Sequence, residues 1–324
     1  MKRYLLLVIK LGVAVGLMTW LIAAGTLDFG ALRVLLDRPE LAVANLVGFA
    51  VPVALAAIRW RMLLRLVDVD VPLKRALNYH VIGLFFRIVI PGGVGGDVVR
   101  AVYVARDVPA DKRAGVYLIG FIDRVIGIAG LVVVATVAVF LHAPDIPQLQ
   151  TLRLVIIGLA VVSLVVPAIV VVVVGRRNAS TQDVPTKLVP RLLNAARLVA
   201  TRPNTLLVAL GMSVVIHVIG VAVFLVVTTA LTSDASVATV AAVYPLGMLT
   251  TAVPISFAGI GVGHAAFDRL FAYVGVGGGA TIYNVYFISQ TAPCLLGVLP
   301  YLTMRRRGEL MTRAEIDAQA GAAG

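Results

Sequence analysis

Charge is scarce in this chain: Asp, Glu, Lys and Arg make up only 14% of its 324 residues. A soluble domain carries about a quarter. With 60% hydrophobic residues and a mean hydropathy of +1.00, the solvent that suits this sequence is lipid. Acidic residues are the scarcest charges, 16 against 28 Lys and Arg, leaving a net charge of +12. Nucleic-acid binding would need those bases on one face of a soluble fold. They fall instead in short segments between apolar runs, so no nucleic-acid partner is expected.

Cysteine is almost missing. Cys294 alone excludes an intrachain disulfide framework and a cysteine metal cluster, and reads as a small core residue. No HExxH, P-loop or nucleophile motif occurs in a plausible context. The run GIGVG at 259–263 is no dinucleotide fingerprint, because no βαβ unit surrounds it. Neither a metal nor a cofactor is expected, no catalytic residue stands out, and the chain does not read as an enzyme.

What the sequence has is apolar length. Several runs reach the roughly 20 residues of a transmembrane helix, and they fill residues 1–324 as one integral domain with no separate soluble part. The first, about 4–24, follows Lys2 and Arg3 and reads as an uncleaved helix rather than a secretory signal peptide. Most of the Lys and Arg residues lie near 2–10, 59–75, 100–113, 176–202 and 305–313. By the positive-inside rule these are cytoplasmic, in a bacterial inner membrane with both termini inside.

That rule constrains the run at 76–99, which has basic clusters on both flanks. Both clusters belong on one side, so this run is expected to enter and leave on the same face, turning at PGGVGG, residues 91–96. A second interrupted run, about 236–275, breaks at 253–263. The expectation is an all-α integral membrane protein with about six full transmembrane helices and two re-entrant helical hairpins; the rival count makes each hairpin a full crossing. A polar stretch at 176–202 reads as a cytoplasmic amphipathic helix, and 304–324 as a short cytoplasmic tail. Span, hairpin and span recur in opposite orientation over about 41–141 and 205–303, an inverted repeat.

Charged residues inside apolar runs cost on the order of 2.5–3.5 kcal/mol at the bilayer centre and are functional candidates by default. Asp97 and Arg100 stand i,i+3 after the glycines, able to pair beside a helix start that attracts anions, or else to serve as a cap and an interfacial anchor. Asp123 and Arg124 lie about nine residues into their span and read as a structural ion pair or a substrate contact. Arg87 is a snorkelling residue or a headgroup ligand. His264, followed by Asp268 and Arg269, reads as a packing histidine or a titrating group. Asn284 and Gln290 belong to a polar band with Tyr283, Tyr286 and Ser289, and can be interhelical glue; Tyr244 and Tyr301 read as interfacial aromatics.

At PGGVGGDVVR (91–100), FIDR (121–124) and PISFAGIGV (254–262) the chain resembles the lysylphosphatidylglycerol synthase transmembrane-region family, and the resemblance covers nearly the whole chain. It implies a likeness to the flippase half of an enzyme that makes and flips aminoacylated phosphatidylglycerol. The hairpin motifs are then implied to line a lipid-headgroup cavity. Pro91, Gly92, Gly93, Gly95, Gly96, Asp97, Arg100, Asp123, Arg124, Pro254, Ser256, Gly259 and Gly261 carry over. The family pattern continues its second motif with Arg-Glu, where this chain has Gly263-His264, which removes an ion pair. No aminoacyl-transfer domain is expected after Arg307, so lysyl transfer is not.

The function expected is a flippase or transporter for an anionic phospholipid or a polyprenyl-phosphate-linked lipid. The alternatives are a non-catalytic partner subunit of a lipid- or glycan-modifying enzyme, and an intramembrane headgroup transferase. A homo-oligomer or a membrane-enzyme partner is compatible with either.

Overall fold

A computed structural model describes residues 33–34, 37–89, 95–142, 156–161, 195–251 and 261–307. Every regular element among the described residues is helical. The longer helices are α1 (Pro39–Leu64), α2 (Leu73–Val89), α3 (Gly95–Arg106), α4 (Ala110–His142), α5 (Pro203–Leu231), α6 (Val237–Thr251), α7 (Val262–Tyr273), α8 (Gly279–Thr291) and α9 (Val298–Arg306).

Four stretches are long and apolar enough to cross a bilayer: Pro39–Val67, Ala110–Leu141, Pro203–Leu231 and Gly279–Arg306. They fall at the ends of the two stretches, about 41–141 and 205–303, in which span, hairpin and span are expected. This is a multi-pass α-helical membrane protein. The span expected at 4–24 lies outside the described residues, as does the amphipathic linker expected at 176–202 apart from its end at 195–202, helical to residue 200.

Local chemistry sets the ends of these helices. Pro39 and Pro203 open α1 and α5, where a missing N–H costs nothing. A 3-10 turn, Arg65–Val67, extends α1 until Asp68 adopts a left-handed conformation at φ 56°, which Asp tolerates better than most residues. Gly261, at φ 79°, does the opposite job and admits the chain into α7.

Two pairs of shorter helices lie between the long ones. In the first, α2 and α3 pack against each other where the two backbones nearly touch: a Cβ on Gly83 would stand 2.9 Å from the carbonyl oxygen of Gly96. Glycine is what permits that approach. In the second, α6 packs on α7. Of the breaks expected at 91–96 and 253–263, residues 91–94 and 253–260, with Pro91, Gly92, Gly93, Pro254, Ser256 and Gly259, lie outside the described residues, whereas Gly95 and Gly96 are not in a turn but open α3, and Val262 and Gly263 open α7.

Lipid is as apolar as leucine, so these helices are held by close packing and internal polar contacts. One core gathers Trp60, Leu63, Ile82, Val104 and Ile119 from α1 to α4. The other gathers Phe224, Tyr244, Phe267, Phe271, Tyr283 and Tyr286 from α5 to α8. The halves interlock, because α5 packs on both α1 and α4 and α6 packs on α4. Large apolar side chains such as Phe121, Leu141 and Leu207 point outward, about two-thirds exposed, as lipid-facing residues do.

Candidate functional site

Asp123, on α4 and only 2% exposed, is the hub of the buried charge. Arg59 of α1 donates through Nε to its Oδ1 at 2.8 Å, and Arg100 of α3 donates through Nη2 to its Oδ2 at 2.7 Å. The same Arg100 nitrogen reaches Asp97 Oδ1 at 2.9 Å, and Arg124 Nη1 donates to Asp97 Oδ2 at 3.1 Å. Five ionised side chains thus form one connected chain: Arg59, Asp123, Arg100, Asp97 and Arg124. The Arg100 guanidinium also lies 5.0 Å from the centre of the Trp60 ring, which stabilises a cation further.

His80 of α2 joins from the other side, its Nδ1 3.2 Å from Arg100 Nη1. Arginine can only donate, so Nδ1 accepts and the ring is neutral with its proton on Nε2. His217 of α5 has its Nε2 3.0 Å from the Gly127 carbonyl of α4, a contact that it makes as donor.

These groups surround a cavity of about 470 Å³ between the two halves of the molecule. One wall carries Arg59, Arg87, Asp97, Arg100, Asp123 and Arg124 from α1 to α4. The facing wall comes from α5, α6 and α8 and has no ionised group; Tyr244, Tyr283 and Tyr286 dominate it, with the hydroxyls of Tyr244 and Tyr286 3.0 Å apart. Four arginines face two aspartates. Arg87 is the guanidinium at the cavity with no carboxylate partner among the described residues, and it sits beside the Cys294 thiol.

The motifs at 91–100 and 121–124 therefore converge as far as they are described. Gly96, Asp97, Arg100, Asp123 and Arg124 line one cavity with Arg87, and Gly95 is buried next to them. The second motif behaves differently. His264 and Asn284 meet each other at 3.3 Å, but neither lines the cavity; His264 packs edge-on against Tyr283, which does. Gly261 starts α7 and is likewise not at the cavity. Asp268 accepts from the Ala280 backbone N–H at 3.3 Å and so ties α7 to the start of α8.

Three expectations need correction. Arg59 was assigned to a cytoplasmic basic cluster, yet it is 7% exposed and paired with Asp123. Arg100, counted with the cytoplasmic basic residues near 100–113 or read as an interfacial anchor, is buried in mid-helix because α3 runs on to Arg106, and it makes the i,i+3 pair with Asp97 that the spacing allows. Tyr244 is not interfacial but 3% exposed and bonded to Tyr286. Sequence reasoning also passed over His80, His217 and Asn45. For Arg59 a signal was there: it falls on the helical stripe of Asn45, Gly48 and Leu63, the buried face of α1.

Among the described residues no group of three or more His, Cys, Asp or Glu side chains could hold a metal ion. A bundle of spanning helices around a charged, partly aromatic cavity defines a polytopic membrane protein with a polar interior. The chain belongs to the family described as lysylphosphatidylglycerol synthase TM region, which matches residues 7–296. A UPF0104 membrane protein from Pyrococcus horikoshii is 26% identical over 167 residues, 51% of this chain. The match spans 48% of that relative, about half its length. No solved structure matches the chain.

Proposed function

We propose that the protein moves an anionic lipid across the membrane in which it sits, holding the headgroup in the cavity between its two halves. The observation that carries this reading is the excess of arginine over aspartate on the wall of a 470 Å³ cavity among membrane-spanning helices. Charges are costly there and persist where they meet a substrate or one another.

Several features support the architecture this requires. Helices α3 and α7 have 12 residues each, about 18 Å at ~1.5 Å per residue, too short for a hydrocarbon core of ~30 Å. They suit re-entrant limbs. The element order long, short, short, long runs twice along the chain, in keeping with an inverted repeat whose halves rock about a central site. The basic loops favour termini on the cytoplasmic side of a bacterial inner membrane.

A headgroup transferase that used a carboxylate as its base would need one free of partners. Asp97 and Asp123 each have both oxygens engaged by guanidinium groups, which favours binding over catalysis.

The test is lipid translocation in proteoliposomes with labelled phosphatidylglycerol and labelled polyprenyl phosphate. Wild type should move at least one of them, and an equally folded Asp97→Asn variant should lose most of that activity. Movement of neither lipid would count against a transporter and in favour of a partner subunit.

A further inference from the structure

We infer that the headgroup taken by this cavity carries two negative charges, as a phosphate monoester or a diphosphate does, in preference to the single charge of a phosphodiester or the added cation of an aminoacylated headgroup. The inference rests on the lipid-headgroup reading above and sharpens it.

The argument is a charge count. Asp123 is shared by Arg59 and Arg100, and Asp97 by Arg100 and Arg124, so three guanidinium groups meet two carboxylates and one positive charge is left over. Arg87 adds a second, with no carboxylate partner among the described residues. His80 accepts from Arg100 and is neutral. The facing wall brings tyrosines but no ion. Residues 90–94 and 252–260, which join α2 to α3 and α6 to α7, contain no Asp, Glu, Lys, Arg or His. The excess is two.

In a medium of low dielectric, surplus charge has to be matched by a ligand or by water. A dianion matches it fully. A phosphodiester leaves one positive charge, and a headgroup bearing lysine would add to the excess. Arg87 is the residue that sets the preference, because the charge of the other three arginines is largely spent on Asp97 and Asp123. The space left beside the Tyr244, Tyr283 and Tyr286 wall is larger than a phosphate needs, so the phosphate can carry a further polar group.

The test is binding to the purified full-length protein in detergent at pH 8, where a phosphate monoester is doubly charged. The probes are dihexanoyl phosphatidic acid, dihexanoyl phosphatidylglycerol and inorganic phosphate, so that the two lipids share their tails. Phosphatidic acid should bind about tenfold tighter than phosphatidylglycerol. Arg87→Gln should bring the two lipids level, and Arg87→Lys should keep the preference. Equal or tighter binding of phosphatidylglycerol to wild type overturns the dianion inference while the headgroup site stands. Failure of both lipids to bind overturns the headgroup reading with it. Inorganic phosphate binding as tightly as phosphatidic acid makes this a free-phosphate site and overturns the lipid class. A preference that survives Arg87→Gln removes Arg87 as its source. Should that variant not fold, the wild-type comparison decides alone.

Discussion

Arg100 and Asp123 meet at 2.7 Å, both buried, although α3 and α4 bring them from positions 23 residues apart. With Arg59 on the other carboxylate oxygen, the pair joins three helices at one point. Removing one partner of such a set leaves the others charged and unmatched. Asp123→Asn should therefore destabilise the protein by about 3–5 kcal/mol. Denaturant unfolding in micelles measures this, and a loss well under 1 kcal/mol would mean that water already solvates the arginines.

The contact of α2 with α3 has no room for a methyl group. Gly96→Ala would press its Cβ onto the Gly83 carbonyl, and backbone cannot step aside as a flexible side chain can. The expected cost is about 1–3 kcal/mol, together with weaker anion binding, since Arg87 and Arg100 ride on the two helices. Gly211→Ala is the control: it lies within α5 with nothing inside 4 Å of an added Cβ. It should be neutral or slightly stabilising. Equal thermal midpoints for both variants would contradict the close packing.

Ser289 Oγ donates to Asn45 Oδ1 at 2.7 Å and so ties α8 to α1 across 244 residues of sequence. Hydrogen bonds of this kind between membrane helices average about 0.6 kcal/mol. A double-mutant cycle of Asn45→Ala and Ser289→Ala should return a coupling of that size. If the halves rock against each other, the same variants should change the translocation rate by more than they change stability.

Beyond the end of the apolar span Pro39–Val67, Asp70 accepts from Arg65 Nε at 2.9 Å, with Arg61 nearby at 3.4 Å, and the Arg65 hydrogen bond holds its carboxyl below the usual carboxylate range. A depressed acid stabilises the fold above its unfolded pKa and loses that effect as pH falls through the folded value. Any difference between wild type and Asp70→Asn should thus stay flat from pH 8 to about 5 and shrink only below about pH 4. The carboxylate is exposed, so the difference will be small. Hydrogen exchange of residues 68–72 reads it more directly than melting does; a gap that widens on acidification would contradict the sign.

The four described spans were legible from apolar length alone, because a bilayer imposes that length on any helix crossing it. Asp97, Arg100, Asp123 and Arg124 were legible as candidates for a related reason: charge in an apolar run stands out. Arg59 was not, since it shares a short basic segment with Arg61 and Arg65, and segment charge says nothing of helical phase. Only its position on the Asn45–Gly48–Leu63 stripe separates it from its neighbours. His80 and His217 escaped for want of any local pattern; what makes them notable is a partner on another helix. His264 shows the reverse, a conspicuous residue in a conspicuous motif that meets Asn284 behind the cavity wall.

If the two surplus positive charges counted among the described residues meet a dianionic headgroup, the empty and loaded forms of the carrier differ electrically. A charge carried through the full membrane field gains about 2.3 kcal/mol per 100 mV. With a dianionic headgroup in place the cavity would be neutral, and a rearrangement of it would be indifferent to voltage. Emptied, it is drawn toward the negative side. On that reading a cell that is negative inside would hold the idle protein open to its cytoplasm, and because the empty return moves two charges through the field, voltage joins the lipid gradient in deciding which way the cargo goes.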